Sequence, residues 1–287
     1  MRLATFLYHN TPSLGIVRDD GIVPVLGLSM LDVIAAGETA LADLSKIERS
    51  PVPLVPEHLL APIPEPRRNV MCLGLNYVEH AKESAQARGR EAKIPTHPIF
   101  FTKATNTVNG PYASILFDAA VSAQIDWEAE LGVVIGQRGK NIPQTEAMSY
   151  VFGYTIVNDV SARDLQFNHG QFFKGKSLDG ACPMGPWIVT ADEIPDPHAL
   201  AIRCRVNGVT KQEANTGMMI FKIPAIIEIL SRGMTLEPGD VIATGTPSGV
   251  GFARTPPEFL KPGDVVECEV EGIGTIRNRV TNVGSRA

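Results

Sequence analysis

A chain of 287 residues, 44% hydrophobic and 20% charged, has the make-up of a globular protein with one large domain or a main domain and a small companion. Its net charge of −5 argues against a nucleic-acid partner, which demands a basic face, and no stretch approaches the roughly 18 continuous apolar residues of a membrane span. The opening MRLATFLYHNTPSLG lacks the apolar core and cleavage site of a secretion signal, and Cys72, Cys182, Cys204 and Cys268 lie far apart with no Cys-x-x-Cys pair. The expectation is a cytoplasmic protein with buried, reduced thiols.

Residues 1–50 read as a small α+β unit. Leu3 to Tyr8 and Gly15 to Val25 pattern as strands, the second broken by the turn Asp19-Asp20-Gly21. LSMLDVIAAG has helical apolar spacing with Gly37 as its stop. The stretch PVPLVPEHLLAPIPEP carries prolines at 51, 53, 56, 62, 64 and 66, which forbid helix interior and central strand. Residues 51–68 are therefore read as an extended linker, and 69–287 as the main, strand-rich domain.

In that domain NVMCLG is a short strand leading into a helix over residues 78–87, and ESAQARGREAK is polar and exposed. Strands follow at PIFFTK, SILF, DWEAELGVVIG, FGYTIVND and GPWIVT. Asn207-Gly208 between alternating runs marks a hairpin. IPAIIEILSRG is a helix with Pro224 in its first turn and Gly233 at its end, and DVIATGTP and VVECEVEGIGTIRNRV complete the strands.

The stretch IDWEAELGVVIG aims Glu128 and Glu130 the same way from an otherwise apolar strand. A solvent-facing edge is the ordinary explanation of such a pair. Here Trp127, Ala129, Leu131 and Val133 cover one face while Gly132, Val134 and Gly136 continue the other, the pattern of a buried strand. Two carboxylates cannot both stay ionised there unaided; either one is protonated or a cation lies between them. All-oxygen ligation suits Mg²⁺, Mn²⁺ or Ca²⁺ rather than zinc. Asp159, at the end of FGYTIVND, is a candidate third carboxylate, although an Asp there is also an ordinary turn former.

Three further features carry chemistry. Gly170 to Ser177 spells G-x-x-x-x-G-K-S, but no buried strand precedes it and Gly180, Pro183 and Pro186 forbid a helix after it, so a phosphate loop is rejected. Lys176 in that string still places a cation among apolar and glycine neighbours. His80 and Glu83 share a helix face, either as an incidental solvated pair or as a base oriented by a carboxylate. ATGTPSGVGF offers backbone N–H groups able to cradle an anion.

Taken together, CLGLNYVEHAKE, FFTK, DWEAELGVVIG, NDVSARD, GKSLDGACPMGP and ATGTPSGVGF resemble the fumarylacetoacetate hydrolase superfamily over residues 70–252. The resemblance implies an α+β, β-rich fold with a mixed sandwich-like roll, a small N-terminal domain and a homodimer. It implies a divalent metal, Mg²⁺ or Mn²⁺, held by Glu128, Glu130 and Asp159. It makes His80 and Glu83 a water-activating dyad on a lid, Lys176 the active-site lysine, and Lys103, Gln166 and Thr246 substrate-side residues. The implied substrate is a small 2-oxo or diketo acid, and the leading expectation is hydrolysis of a carbon–carbon bond. Isomerisation and decarboxylation, as in hydroxymuconate-type or oxaloacetate-type members, are alternatives, and a non-catalytic metal-binding protein is a remote one. Asn106, Tyr112 and Arg254 are the positions expected to set tail specificity.

Overall fold

A computed structural model of the protein describes residues 1–284. Strands β1 (Arg2–Tyr8) and β2 (Thr11–Arg18) form a hairpin across His9 and Asn10, both at positive φ, and β3 (Gly21–Val25) returns after Asp19-Asp20. Helix α1 (Met30–Ala36) starts on a capping box between Ser29 and Asp32 and stops at Gly37, whose φ of 58° suits glycine. A second helix, α2 (Glu38–Ser45), follows at once; its weak apolar periodicity hides it in the sequence. The proline-rich stretch makes no long strand and clips onto β3 and β1 through bridges Ile22 to Val52 and Phe6 to Leu59.

The remaining elements begin with β4 (Val70–Gly74), α3 (Val78–Ala87), β5 (Ile99–Lys103), β6 (Val108–Asn109) and β7 (Ile115–Phe117). Next come β8 (Ile125–Asp126), β9 (Ala129–Ile135), β10 (Val151–Asn158), β11 (Ser161–Ala162), α4 (Arg163–Asn168), α5 (Phe173–Lys176) and β12 (Cys182–Thr190). Last are β13 (Ala201–Val206), β14 (Val209–Asn215), α6 (Ile223–Ser231), β15 (Val241–Ala243), β16 (Val265–Val270) and β17 (Gly274–Asn282).

The main sheet runs β3-β2-β1-β12-β10-β9-β15-β4-β5, with β6 beside β12; a second runs β14-β13-β16-β17-β7. The architecture is α+β and strand-rich. Because β1 pairs with β12, residues 1–25 extend the same sheet that carries β9 and β10. All residues of β9 and β10 are buried, because both faces of the sheet are covered. Leu131 and Val133 pack with Ile202, Cys268 and Ile276 of the second sheet, while Val134 packs with Leu3, Ile34 and Val70. This centre of the sheet is where charged side chains cost most to bury, and it is where the acidic residues lie. All four cysteines are buried and free, and burial pushes the Cys182 thiol up to about 12.

Candidate active site

The expected single strand over IDWEAELGVVIG is interrupted. Between β8 and β9, Trp127 and Glu128 leave the ladder, and side chains satisfy three successive amides. Asp126 Oδ1 accepts from Trp127 N–H at 2.8 Å, Asn158 Oδ1 from Glu128 N–H at 3.0 Å and Gln212 Oε1 from Ala129 N–H at 3.0 Å. The Asp159 N–H closes onto the Glu128 carbonyl at 2.9 Å, so the third carboxylate is pinned to the first. Glu128, Glu130 and Asp159 thereby converge, each offering an oxygen within 4.8 Å of the others.

Four buried carboxylates face three buried cations at this point. Lys176 Nζ donates to Glu128 Oε2 and Asp159 Oδ2, both at 2.7 Å, and lies 5.0 Å from the Phe101 ring centre. Lys103 Nζ donates to Asp159 Oδ1 at 2.7 Å and to the Val160 carbonyl at 3.0 Å. Arg163 pairs with Glu128 Oε1 at 2.7 Å and, through Nε, with Asp126 at 2.8 Å. Asp126 also accepts the amides of Gly251 and Phe252. Burial alone would raise the Glu128 pKa, but Lys176 and Arg163 overcome it and hold it at about 2. Burial likewise opposes the Lys176 charge, yet Asp159 and Glu128 raise its pKa above the ordinary lysine value. Lys176 is a fixed ammonium and not a base.

Glu130 is the exception. Its Oε2 accepts from Gly245 N–H at 2.7 Å, while its buried Oε1 has no hydrogen-bond partner. Burial first, then the Asp159 and Glu128 charges, push its pKa well above the carboxylate range. An all-oxygen triad with an orphaned oxygen and one surplus acidic group fits a hard divalent cation, whose bonds of about 2.0–2.6 Å let ligand oxygens lie this close.

The pKa shift has a measurable consequence. A carboxyl group whose folded pKa is raised stabilises the metal-free protein fully below its unfolded value, and that contribution falls as pH rises toward the folded pKa. A ligating cation must displace the proton, so binding strengthens with pH. The Mn²⁺-induced rise in melting temperature is expected to grow between about pH 6 and pH 8. A shift that stays constant over this range would mean that Glu130 is already ionised before the cation arrives.

Helix α3 stands over the cluster. His80 is buried on its inner face, and Nδ1 lies 2.8 Å from Glu83 Oε1. Glu83 is fixed in turn by Gly249 N–H, at 3.0 Å to Oε1 and 2.8 Å to Oε2. A carboxylate that accepts these amides also accepts Nδ1–H, which leaves Nε2 as the acceptor. His80, Glu128, Arg163, Gln166, Lys176 and Thr246 all contribute to one cavity of about 210 Å³. That is below the roughly 300–1,000 Å³ of sites for drug-sized ligands and suits a small acid.

Other expected residues are placed differently. Lys103 lies behind Asp159 and does not line the cavity, so it holds a carboxylate and does not touch a ligand. The Thr246 hydroxyl donates to the Ala129 carbonyl at 2.9 Å and accepts from Gln212 at 2.7 Å, so it shapes the wall. Gln166 accepts from Arg163 at 2.9 Å through Oε1, which leaves its amide N–H groups to the cavity. Asn106 bonds Asp179, Tyr112 bonds the Thr275 carbonyl and Arg254 pairs with Glu258; none of the three lines the cavity. Arg163 is the residue that sequence reasoning passes over. It lies four positions after Asp159 in NDVSARD, pairs with two of the carboxylates and has a buried Nη2 with no partner.

Residues 69–281 match the family model described as fumarylacetoacetate (FAA) hydrolase, C-terminal. Oxaloacetate tautomerase YisK of Bacillus subtilis (strain 168) is 51% identical over 222 residues, which is 77% of this chain and 72% of that protein. Oxaloacetate tautomerase Fahd2a, mitochondrial, of Rattus norvegicus is 44% identical over 270 residues, 93% of this chain and 84% of that protein. The solved structure of fumarylacetoacetate hydrolase (EaFAH) from psychrophilic Exiguobacterium antarcticum superposes with a TM-score of 0.86 at 41% identity, covering 98% of this chain and 99% of that one.

Proposed function

The chain belongs to the fumarylacetoacetate hydrolase family, and from that premise we propose that it is a divalent-metal-dependent tautomerase interconverting the keto and enol forms of a small 2-oxo acid of the oxaloacetate type. The observation that carries this reading is the His80–Glu83 pair, 2.8 Å apart, with His80 lining the same cavity as Glu128, the member of the three-carboxylate cluster that reaches it. The expectation of carbon–carbon hydrolysis gives way to its isomerase alternative. Both tautomerase relatives bear the name of a proton-transfer reaction, and nothing in a His–Glu pair requires an attacking water.

Held by Glu128, Glu130 and Asp159, a divalent cation supplies positive charge that acidifies the hydrogens beside a ketone. The substrate carboxylate takes a hydrogen bond from the free Nη2 of Arg163, with the Gln166 amide beside it. His80 Nε2 removes a proton from C3, and the negative charge moves to the 2-oxygen. The His80 imidazolium returns that proton to the 2-oxygen, which completes the enol and regenerates the neutral imidazole, so atoms balance and no carbon–carbon bond breaks. Glu83 keeps the imidazole in the tautomer that can accept, and Lys176 stays protonated throughout, a fixed charge beside the reacting oxygens.

The test is product identification. Purified protein with Mg²⁺ is expected to speed the decay of the oxaloacetate enol absorbance while pyruvate and CO₂ stay at background. Cleavage of an acylpyruvate as the faster reaction would restore hydrolysis, and prompt CO₂ release would make the enzyme a decarboxylase.

A further inference from the structure

We propose that Arg88 is the specificity residue for a dicarboxylic substrate, binding the carboxylate farthest from the metal cluster. This inference rests on the tautomerase reading and names the substrate class more narrowly. His80 and Ser84 on α3 and Arg88 at its C-cap are spaced four apart, and all three line the cavity. The helix ends in a closed turn, with Gly89 N–H on the Gln86 carbonyl at 3.0 Å and Arg90 N–H on the Ala85 carbonyl at 2.9 Å. Gly89 adopts a φ of 60°, which turns the chain back so that Arg90 and Lys93 join Arg88 on the cavity rim.

Among the described residues, none of these three cations forms an ion pair, although Glu91 shares the rim. The floor cations Lys176 and Arg163, by contrast, are both engaged with carboxylates. Arg88 is also the oriented member of the rim: its guanidinium lies 4.8 Å from the Phe167 ring centre. Phe167 packs edge-on against Phe252 at 5.4 Å, and Phe252 carries the Arg163 guanidinium at 4.5 Å. Two arginines thus stand at the ends of a two-ring wall. Arg163 offers its unpartnered Nη2 at the floor, and Arg88 offers an unpaired fork at the mouth. A small diacid lying along the wall meets a donor at each end. Attraction of cations to a helix C-terminus accounts for an arginine here but makes no distinction between ligand charges.

The experiment compares Arg88→Gln and Arg88→Lys with the unaltered protein, using two ligand pairs. Initial rates are taken with oxaloacetate and its 4-methyl ester, and equilibrium binding to Mn²⁺-loaded protein is measured with malate and its 4-methyl ester. The unaltered protein is expected to favour each diacid over its ester by about 10- to 100-fold. Arg88→Gln should remove that preference mainly through KM, with the ester unaffected, and Arg88→Lys should keep part of it. Equal loss for diacid and ester, or a preference that survives in Arg88→Gln or is absent from the start, overturns the proposal. Failure to turn over either oxo acid would remove the tautomerase reading, while the malate pair would still decide the role of Arg88.

Discussion

In the absence of metal at pH 8, Glu130→Gln is expected to melt at a higher temperature than the unaltered protein, while its activity falls by at least about 10³-fold, the scale for losing the main electrostatic stabilisation of a reaction. Glu130 is fully buried, has no cationic partner and is repelled by Asp159 and Glu128. As pH rises the unfolded chain ionises Glu130 freely, while the folded protein must either hold the proton or carry the charge among its central strands. Glutamine keeps the acceptor that Gly245 N–H needs and turns an N–H donor toward the neighbouring carboxylates. At acidic pH, where Glu130 holds its proton, the two proteins should melt together. The cation-induced melting shift should vanish in the variant at every pH. Scanning calorimetry over a pH series, with metal content measured after dialysis, checks all three expectations. A metal-free variant markedly less stable than the parent at pH 8 would show that Glu130 is ionised and satisfied without a cation.

Elements governed by local pattern were legible in the sequence. Helix α3 occupies the predicted residues 78–87, the Asn207-Gly208 turn has φ of 52° and 78°, and Pro224 sits in the first turn of α6. The rejected phosphate-loop string has a physical explanation in the fold. A Cβ on Gly175 would lie 2.3 Å from the Gln166 nitrogen, so the glycine allows α4 and α5 to pack closely and turns Lys176 into the carboxylates. What could not be read was the choice of partner between distant segments. Glu128 leaves its strand because Asn158 and Gln212, far along the chain, take the ladder's amides. No periodicity announces that Lys103 backs Asp159, or that Arg163 joins Glu128 to Asp126. The stretch Glu83 to Lys93, read as merely exposed, holds rim cations whose meaning depends on Phe167 standing beneath Arg88. Charge pairing is a property of three-dimensional neighbours, and here it decides which residues do chemistry.

His80→Ala is expected to lower kcat by about 10²- to 10⁴-fold, the usual contribution of a positioned general base, without affecting metal binding. The imidazole is not one of the three ligand carriers, so the Mn²⁺-induced melting shift should persist in this variant, in contrast to Glu130→Gln. Free imidazole should restore part of the rate, because the substitution opens space in a cavity where His80 is part of the lining. Glu83→Gln should cost less, about 10- to 100-fold, since an amide oxygen can still accept Nδ1–H although one Gly249 contact is lost. Imidazole rescue separates proton transfer from orientation: it should act on His80→Ala and leave Glu83→Gln unchanged. If His80→Ala turned over at the parent rate, the proton would be moving through another group, and the dyad would be only a clamp that ties α3 to the Gly249 loop.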